Sequence, residues 1–303
     1  MYHSSYIPFL MTIIKHKNTP IDIFGKIFRR KEGEFIRKTG MNQEKFGILL
    51  GRIRAKIAAE EDENKMKQRG LKGLVTLENQ LLIALYYLRS YGTHLLTGEH
   101  FGVCESYSSK IYTKMKKYML QVLELPKKTD LPNMDLSKVI IDVTEQEIER
   151  PIHKQKKYYS GKKHKHTLKV LIFICATSLS ILAVRTDIGT SHDFNMFKEN
   201  YKPGNIQFKK EVEFLADSGF QGIKAYHENS RTPYKATKNH PVTKEKKKFN
   251  QQLAKERIPI EHTNRKCKIF HIVKDVYRGK HKNFGMNWNL IAMLVNFSYY
   301  DNG

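Results

Sequence analysis

The chain has 303 residues, with 54 Lys and Arg against 30 Asp and Glu and a formal net charge of +24. Its 40% hydrophobic content, including 16 Phe and 16 Tyr, is enough for a sizeable core plus a smaller accessory domain, which excludes a disordered polyelectrolyte and a stapled mini-protein. Such a basic surface attracts a phosphate backbone, with an anionic membrane surface as the competing partner.

In chain order, residues 1–34 form an N-terminal extension whose apolar run, Ile7 to Ile14, is too short to span a bilayer. The expected location is therefore the cytoplasm, with no membrane partner. Cys104, Cys175 and Cys267 are far apart and lack metal-ligand spacing, which fits a reducing compartment. A helix capped by Asn42 is predicted to run to Ala59, followed by a charged, Gly-containing loop over 62–73. Thr76 caps the apolar helix LENQLLIALYYLRSY. A short helix then precedes Phe101-Gly102-Val103, and a third helix starts near Ser106. This is helix-turn-helix spacing within 75–120, with Lys110, Lys114, Lys116 and Lys117 as candidate DNA contacts; the same pattern also suits an ordinary three-helix packing unit.

Pro126 and Pro132 mark a linker over 126–136, after which the period changes. KVIIDVTEQ, HTLKVLIFICAT and LSILAVRTDIG read as buried strands, the last two joined near Ser178. A short helix follows Ser191, EVEFLADSGF reads as another strand, and a long helix is expected from Thr243 to Asp275. FGMNWNLIAMLVNFSYY is a final helix whose Trp288, Leu290, Met293, Leu294 and Phe297 close the core. The order of elements predicts an N-terminal all-helical region over 35–125 and a mixed α/β unit over 137–303.

Asp142 and Asp217 each follow an apolar strand stretch, Val139-Ile140-Ile141 and Phe214-Leu215-Ala216. An acid there requires a partner, solvent or a metal. Either acid alone is explained by a strand-end cap, whereas two in a basic protein can share divalent cations opposite phosphate. Glu261 is the third candidate, with Arg257 and Arg265 at i−4 and i+4 and Lys268 seven residues on. Pro259 predicts a kink or a new helix start beside it. Seven lysines lie between Lys154 and Lys169 without an acid, Lys162, Lys163 and Lys165 among them. They suit either a solvated hairpin or a phosphate contact, with Tyr158 or Tyr159 available to pack on a sugar or an unpaired base. His153, His164 and His166 lack compact zinc-ligand spacing. His192 and Asp193 are candidates for orienting the site or for capping a helix.

Five segments in this order, IIDVTEQEIERP, YYSGKKHKHTLK, DIGTSHD, LADSGFQG and RIPIEHTNRKCKIF, resemble bacterial insertion-sequence transposases of the DDE superfamily, in the branch similar to Harbinger nucleases. The resemblance covers Phe35 to the C-terminus. It implies a ribonuclease-H-like catalytic domain over 137–303, an N-terminal helix-turn-helix, and a metal triad of Asp142, Asp217 and Glu261 using two Mg²⁺ ions, with Mn²⁺ as a substitute. The spacing of Arg257, Glu261 and Lys268 is similar to the family signature on the last catalytic helix, except that Ala254 stands where some relatives carry Tyr. The implied partners are double-stranded DNA with element-end inverted repeats, target DNA and further copies of the chain, in the cytoplasm and associated with the nucleoid. The implied activity is strand cleavage and strand transfer. The alternatives are a noncatalytic transposase-derived DNA-binding regulator or structural factor, and a basic structural protein that binds RNA.

Overall fold

The computed structural model describes residues 23–29, 31–63, 75–236 and 241–300. The apolar run at 7–14 and most of the loop expected over 62–73 lie outside the described residues.

Six helices come first: α1 (Ile23–Phe28), α2 (Glu32–Thr39), α3 (Gln43–Glu63), α4 (Leu77–Ser90), α5 (His94–Phe101) and α6 (Glu105–Val122). Both expected caps form. Asn42 Oδ1 accepts the Lys45 N–H at 2.8 Å, and the Thr76 hydroxyl accepts the Asn79 N–H. The end of the extension is part of the core, because Phe24 stacks on Phe46, Phe35 meets Phe46 edge-on, and Ile27 is buried.

Helices α5 and α6 are joined by Gly102-Val103-Cys104, with Gly102 in the left-handed region at φ 67°. Gly98 packs against this turn so closely that a Cβ there would lie 2.4 Å from the Val103 carbonyl oxygen. A backbone oxygen cannot yield as a side chain does. Gly98→Ala should therefore destabilise the protein by about 2 kcal/mol despite the better helix propensity of Ala, as a shifted urea midpoint would show.

Six strands follow: β1 (Lys138–Glu147), β2 (Tyr159–Ser160), β3 (Lys165–Cys175), β4 (Ile181–Ile188), β5 (Glu213–Ala216) and β6 (Ser230–Arg231). β3 pairs antiparallel with β1, β2 and β4, whereas β5 is parallel to both β1 and β6. The result is a mixed sheet flanked by helices. The strands read as continuous apolar runs because both faces are covered. Ile140, Ile172, Ile174 and Leu215 join a cluster with Phe46, Leu85, Met119 and the final helix α9 (Phe284–Tyr299). Val139, Ile141, Phe173 and Phe214 face the other way, onto α7 (Asp193–Asn200) and the 201–223 segment, in a second cluster with Phe197, Phe208 and Phe220. The first cluster runs without a break from Ile27 to Phe297, so the N-terminal helices and one sheet face share a core.

Two expectations are corrected. The helix expected to reach Asp275 is α8 (Lys244–Lys268), which ends seven residues earlier. Phe270 turns into the core against Gly40, and Gln146 Nε2 donates to the carbonyls of Ile272 and Asp275, supplying the bonds a longer helix would have made. Of the two outcomes expected at Pro259, a new helix start does not occur, because α8 runs through it. The turn around it is pinned by contacts from Glu256 and Arg257, which hold it where one main-chain bond is missing.

Candidate active site

Alternate residues of β1, namely Ile140, Asp142, Thr144 and Gln146, lie on the face that α8 and α9 cover. The pattern changes from apolar to polar at Asp142, which is where β5 stops. The parallel register ends with Ile141 opposite Ala216, so Asp142 and Asp217 are the next pair, side by side beyond the last rung. The short β5 thus leaves that edge of β1 without a strand partner beyond Asp142 until Tyr277 meets Glu147.

Helix α8 supplies both partners of Asp142. Arg257 Nη2 donates to Oδ1 at 3.3 Å, and Asn264 Nδ2 donates to Oδ2 at 3.2 Å. Even so, burial raises the Asp142 carboxyl from 3.8 to about 6; Arg257 opposes this and the neighbouring Asp217 charge adds to it. Asp217 is fixed by the N–H of Gly219, which donates to its Oδ1 at 2.7 Å. A Cβ on Gly219 would lie 2.9 Å from that oxygen and 3.0 Å from Asp193 Oδ2, so the absent side chain lets two carboxylates approach.

Asp217 opens onto a cleft of about 450 Å³ lined also by Thr144, Glu145, Lys163, Lys169, Asp193 and Lys268. Lys169 bridges Asp193 at 2.8 Å and Glu145 at 3.8 Å, with its side chain only 12% exposed. Lys268 Nζ donates to Thr144 Oγ1 at 3.0 Å. Burial lowers its pKa; Asp142 opposes this and the nearby Lys163 ammonium adds to it. Two cations facing one cleft form a setting that a phosphate oxygen relieves.

The other candidates are distributed unevenly. Glu261 is exposed; its spacing puts it on the α8 face that carries Arg257, Asn264 and Lys268, but it does not line the cleft. Lys162 and His192 are on the cleft wall, and His192 precedes α7 without a side-chain cap bond. Lys165 pairs with Glu147 at 2.6 Å, and Arg265 is exposed. On α6, Lys110 and Lys114 are exposed and Lys117 reaches Glu60 at 3.5 Å. Lys116 turns inward to Asn287, where burial lowers it to about 8. The sequence reading missed Asn264, Lys169 and Glu145. Glu145 and Lys169 are direct register partners, a pairing visible only once β1 and β3 are aligned.

Among the described residues, no three His, Cys, Asp or Glu side chains converge as a metal-ligand group. The donor chemistry nonetheless fits a hard divalent cation. The Asp217 charge raises the cost of ionising Asp142, and Asn264 Oδ1 beside Asp142 is buried without a hydrogen-bond partner. No helix among the described residues is long and apolar enough to cross a membrane.

Residues 141–296 match the family model of the DDE superfamily endonuclease, a span that begins one residue before Asp142 and contains Asp217, Glu261 and the whole cleft. The chain is also similar to a probable transposase for insertion sequence element IS702 from Microchaete diplosiphon, with 34% identity over 268 residues, 87% of this chain and 94% of that protein. With the model covering half of the chain and the relative nearly all of it, this chain belongs to the DDE superfamily of transposases and endonucleases.

Proposed function

We propose that this chain binds the inverted-repeat ends of its own element and catalyses metal-dependent strand cleavage followed by strand transfer into target DNA. The observation that carries the reading is the side-by-side placement of Asp142 and Asp217 where β5 ends, beside a cleft with Lys163 and Lys268 on its wall. The mixed sheet covered on both faces supports a ribonuclease-H-like catalytic domain over 137–303, following a linker at 126–136. The α5–turn–α6 arrangement supports a helix-turn-helix in a DNA-binding region over 35–125. The protein acts as a homo-oligomer on DNA, in the cytoplasm and associated with the nucleoid.

Asp142, Asp217 and Glu261 would hold the metal. Mg²⁺, as two ions and with Mn²⁺ as a substitute, supplies an activated water and stabilises the leaving 3′ oxygen when bound there. Lys163 and Lys268 hold the non-bridging oxygens of the scissile phosphate. Lys169 keeps Asp193 beside Asp217, and Asn264 orients Asp142. Once the first strand is cut, the freed 3′ hydroxyl takes the place of water as nucleophile, so one site performs both steps.

The test uses purified protein and duplexes carrying the element's ends. Asp217→Asn and Glu261→Gln should bind the ends in EDTA as wild type does, yet lose Mg²⁺-dependent nicking and strand transfer. Wild-type cleavage by either variant removes that residue from the triad. Lys110→Ala with Lys114→Ala should weaken binding and flatten its salt dependence by about one unit of slope per lost phosphate contact, and an unchanged footprint would place recognition elsewhere. A second reading, a noncatalytic DNA-binding regulator, is favoured by one feature, the exposed Glu261 outside the cleft. It prevails if folded wild type binds the ends but fails to cleave them whichever divalent metal is supplied.

A further inference from the structure

The segment between β1 and β2 combines two properties that a solvated loop does not need together. Ile152 is 86% exposed, the most exposed large hydrophobic side chain among the described residues, and it follows Pro151. Around it, Lys154, Lys156 and Lys157 are exposed and unpaired with any acid among the described residues, as are Lys162 and Lys163 beyond β2. Tyr159, on the cleft wall, is 45% exposed.

The loop is built rather than loose. At its base the Ile148 N–H donates to the His166 carbonyl at 2.9 Å and the Glu149 N–H to that of Tyr277 at 3.3 Å. Arg150 Nε donates to Gln155 Oε1 at 3.1 Å across the tip, and Gln155–Lys157 form a 3₁₀ turn after Lys154 in the left-handed region at φ 56°. The Lys157 carbonyl accepts the Thr190 hydroxyl at 2.9 Å, and Thr190 itself lines the cleft. An apolar tip is therefore held in a fixed frame tied to the rim of the candidate active site. Because the tip is ordered before any ligand arrives, little conformational entropy is lost on contact.

Resting on the reading of this chain as an element-end transposase, we propose that Ile152 is a wedge that inserts between adjacent base pairs of the DNA held at the cleft, unstacking that step. Lys154, Lys156 and Lys157 hold the flanking phosphates, and Tyr159 offers a face for a displaced base. Apolar wedges backed by cations are how proteins open a base step, because the energy of unstacking is offset by burying the wedge and by phosphate neutralisation. A protein partner would be matched poorly by a lone isoleucine whose own loop carries three unpaired lysines, with two more on the cleft wall, whereas charge complementarity selects the duplex.

The experiment moves a 2-aminopurine through duplexes carrying the element's ends and follows its fluorescence when protein is added in EDTA. Wild type should give a rise of several-fold at one step, which Ile152→Ser loses and Ile152→Leu restores. Ile152→Ser should bind the intact duplex about tenfold more weakly, the loss expected for one partly buried aliphatic side chain. It should bind a duplex with an abasic gap at that step as wild type does, since the unstacking is then already done. The exposed position and main-chain anchors leave folding unaffected, which circular dichroism checks. Binding by wild type without a fluorescence rise at any position overturns the wedge and leaves the transposase reading standing, as does a rise retained in Ile152→Ser. Absence of duplex binding by folded wild type overturns both.

Discussion

Asp142→Asn should raise the stability of the metal-free protein by about 2–3 kcal/mol at about pH 7.5 while reducing Mg²⁺-dependent cleavage by about 10³-fold. The Asp142 carboxyl is raised to about 6 by burial and, more weakly, by Asp217, despite Arg257. The folded state therefore holds this proton more tightly than the unfolded chain. The resulting penalty is absent below the ordinary value of 3.8, grows as pH rises, and is complete above about 6. Asn has nearly the same shape and still offers an oxygen to Arg257, so the variant keeps the packing and loses the penalty. Urea unfolding of both proteins in EDTA at about pH 7.5 and about pH 4.5 checks this, because the gap should shrink to about a third at the lower value as the wild-type carboxyl takes up its proton. A variant less stable than wild type at both values would mean that the ion pair to Arg257 outweighs desolvation. The opposed signs of the stability and activity effects follow from one cause: a charge held in a costly place for its chemistry.

Glu256→Ala should destabilise the protein by about 3 kcal/mol at neutral pH, the largest loss expected from a single polar residue here. Glu256 lies between Lys138 at the start of β1, 2.7 Å away, and Arg231 on β6, while Glu213 on β5 bridges the same two cations. Hydrogen bonds from Arg231 and then Lys138 lower its carboxyl from 4.5 to about 2. For a depressed carboxyl the contribution is complete above 4.5 and is lost as pH falls towards 2. The difference between wild type and variant should therefore be flat from neutral pH down to about 5 and shrink below that in urea titrations. Removing the acid leaves two cations with only Glu213 between them. It also frees the α8 turn that carries Arg257 and precedes Glu261, so cleavage should fall along with stability. A loss below about 1 kcal/mol would show that the cluster behaves as a solvent-screened surface network.

Much of the architecture was legible in the residues because local chemistry decides it. Asn42 and Thr76 cap helices through their own side chains, the Gly102 turn needs its left-handed φ, and apolar runs bounded by turn residues become strands wherever both faces find cover. Asp142 and Asp217 stood out for the same reason, as acids directly after buried stretches. Three matters depended on elements far apart in sequence. The end of α8 was set by Gln146 on β1 taking the carbonyls of Ile272 and Asp275, which no helical periodicity could foretell. The continuity of α8 through Pro259 depends on contacts of Glu256 and Arg257 with β1, which hold a turn that lacks one main-chain bond. The surroundings of Asp142 depend on register, because only the parallel pairing of β1 with β5 brings Asp217 alongside, and only the packing of α8 brings Asn264 to the second oxygen. Lys116 is the converse case. On its own helix it reads as one of four similar basic residues, and the docking of α9 alone turned it inward to Asn287 and away from solvent. Sequence thus determined which residues carry charge and where segments start, since capping and apolar periodicity act within a few residues. Tertiary structure decided which charges meet, since those distances are fixed by strand register and helix packing across more than a hundred residues of chain.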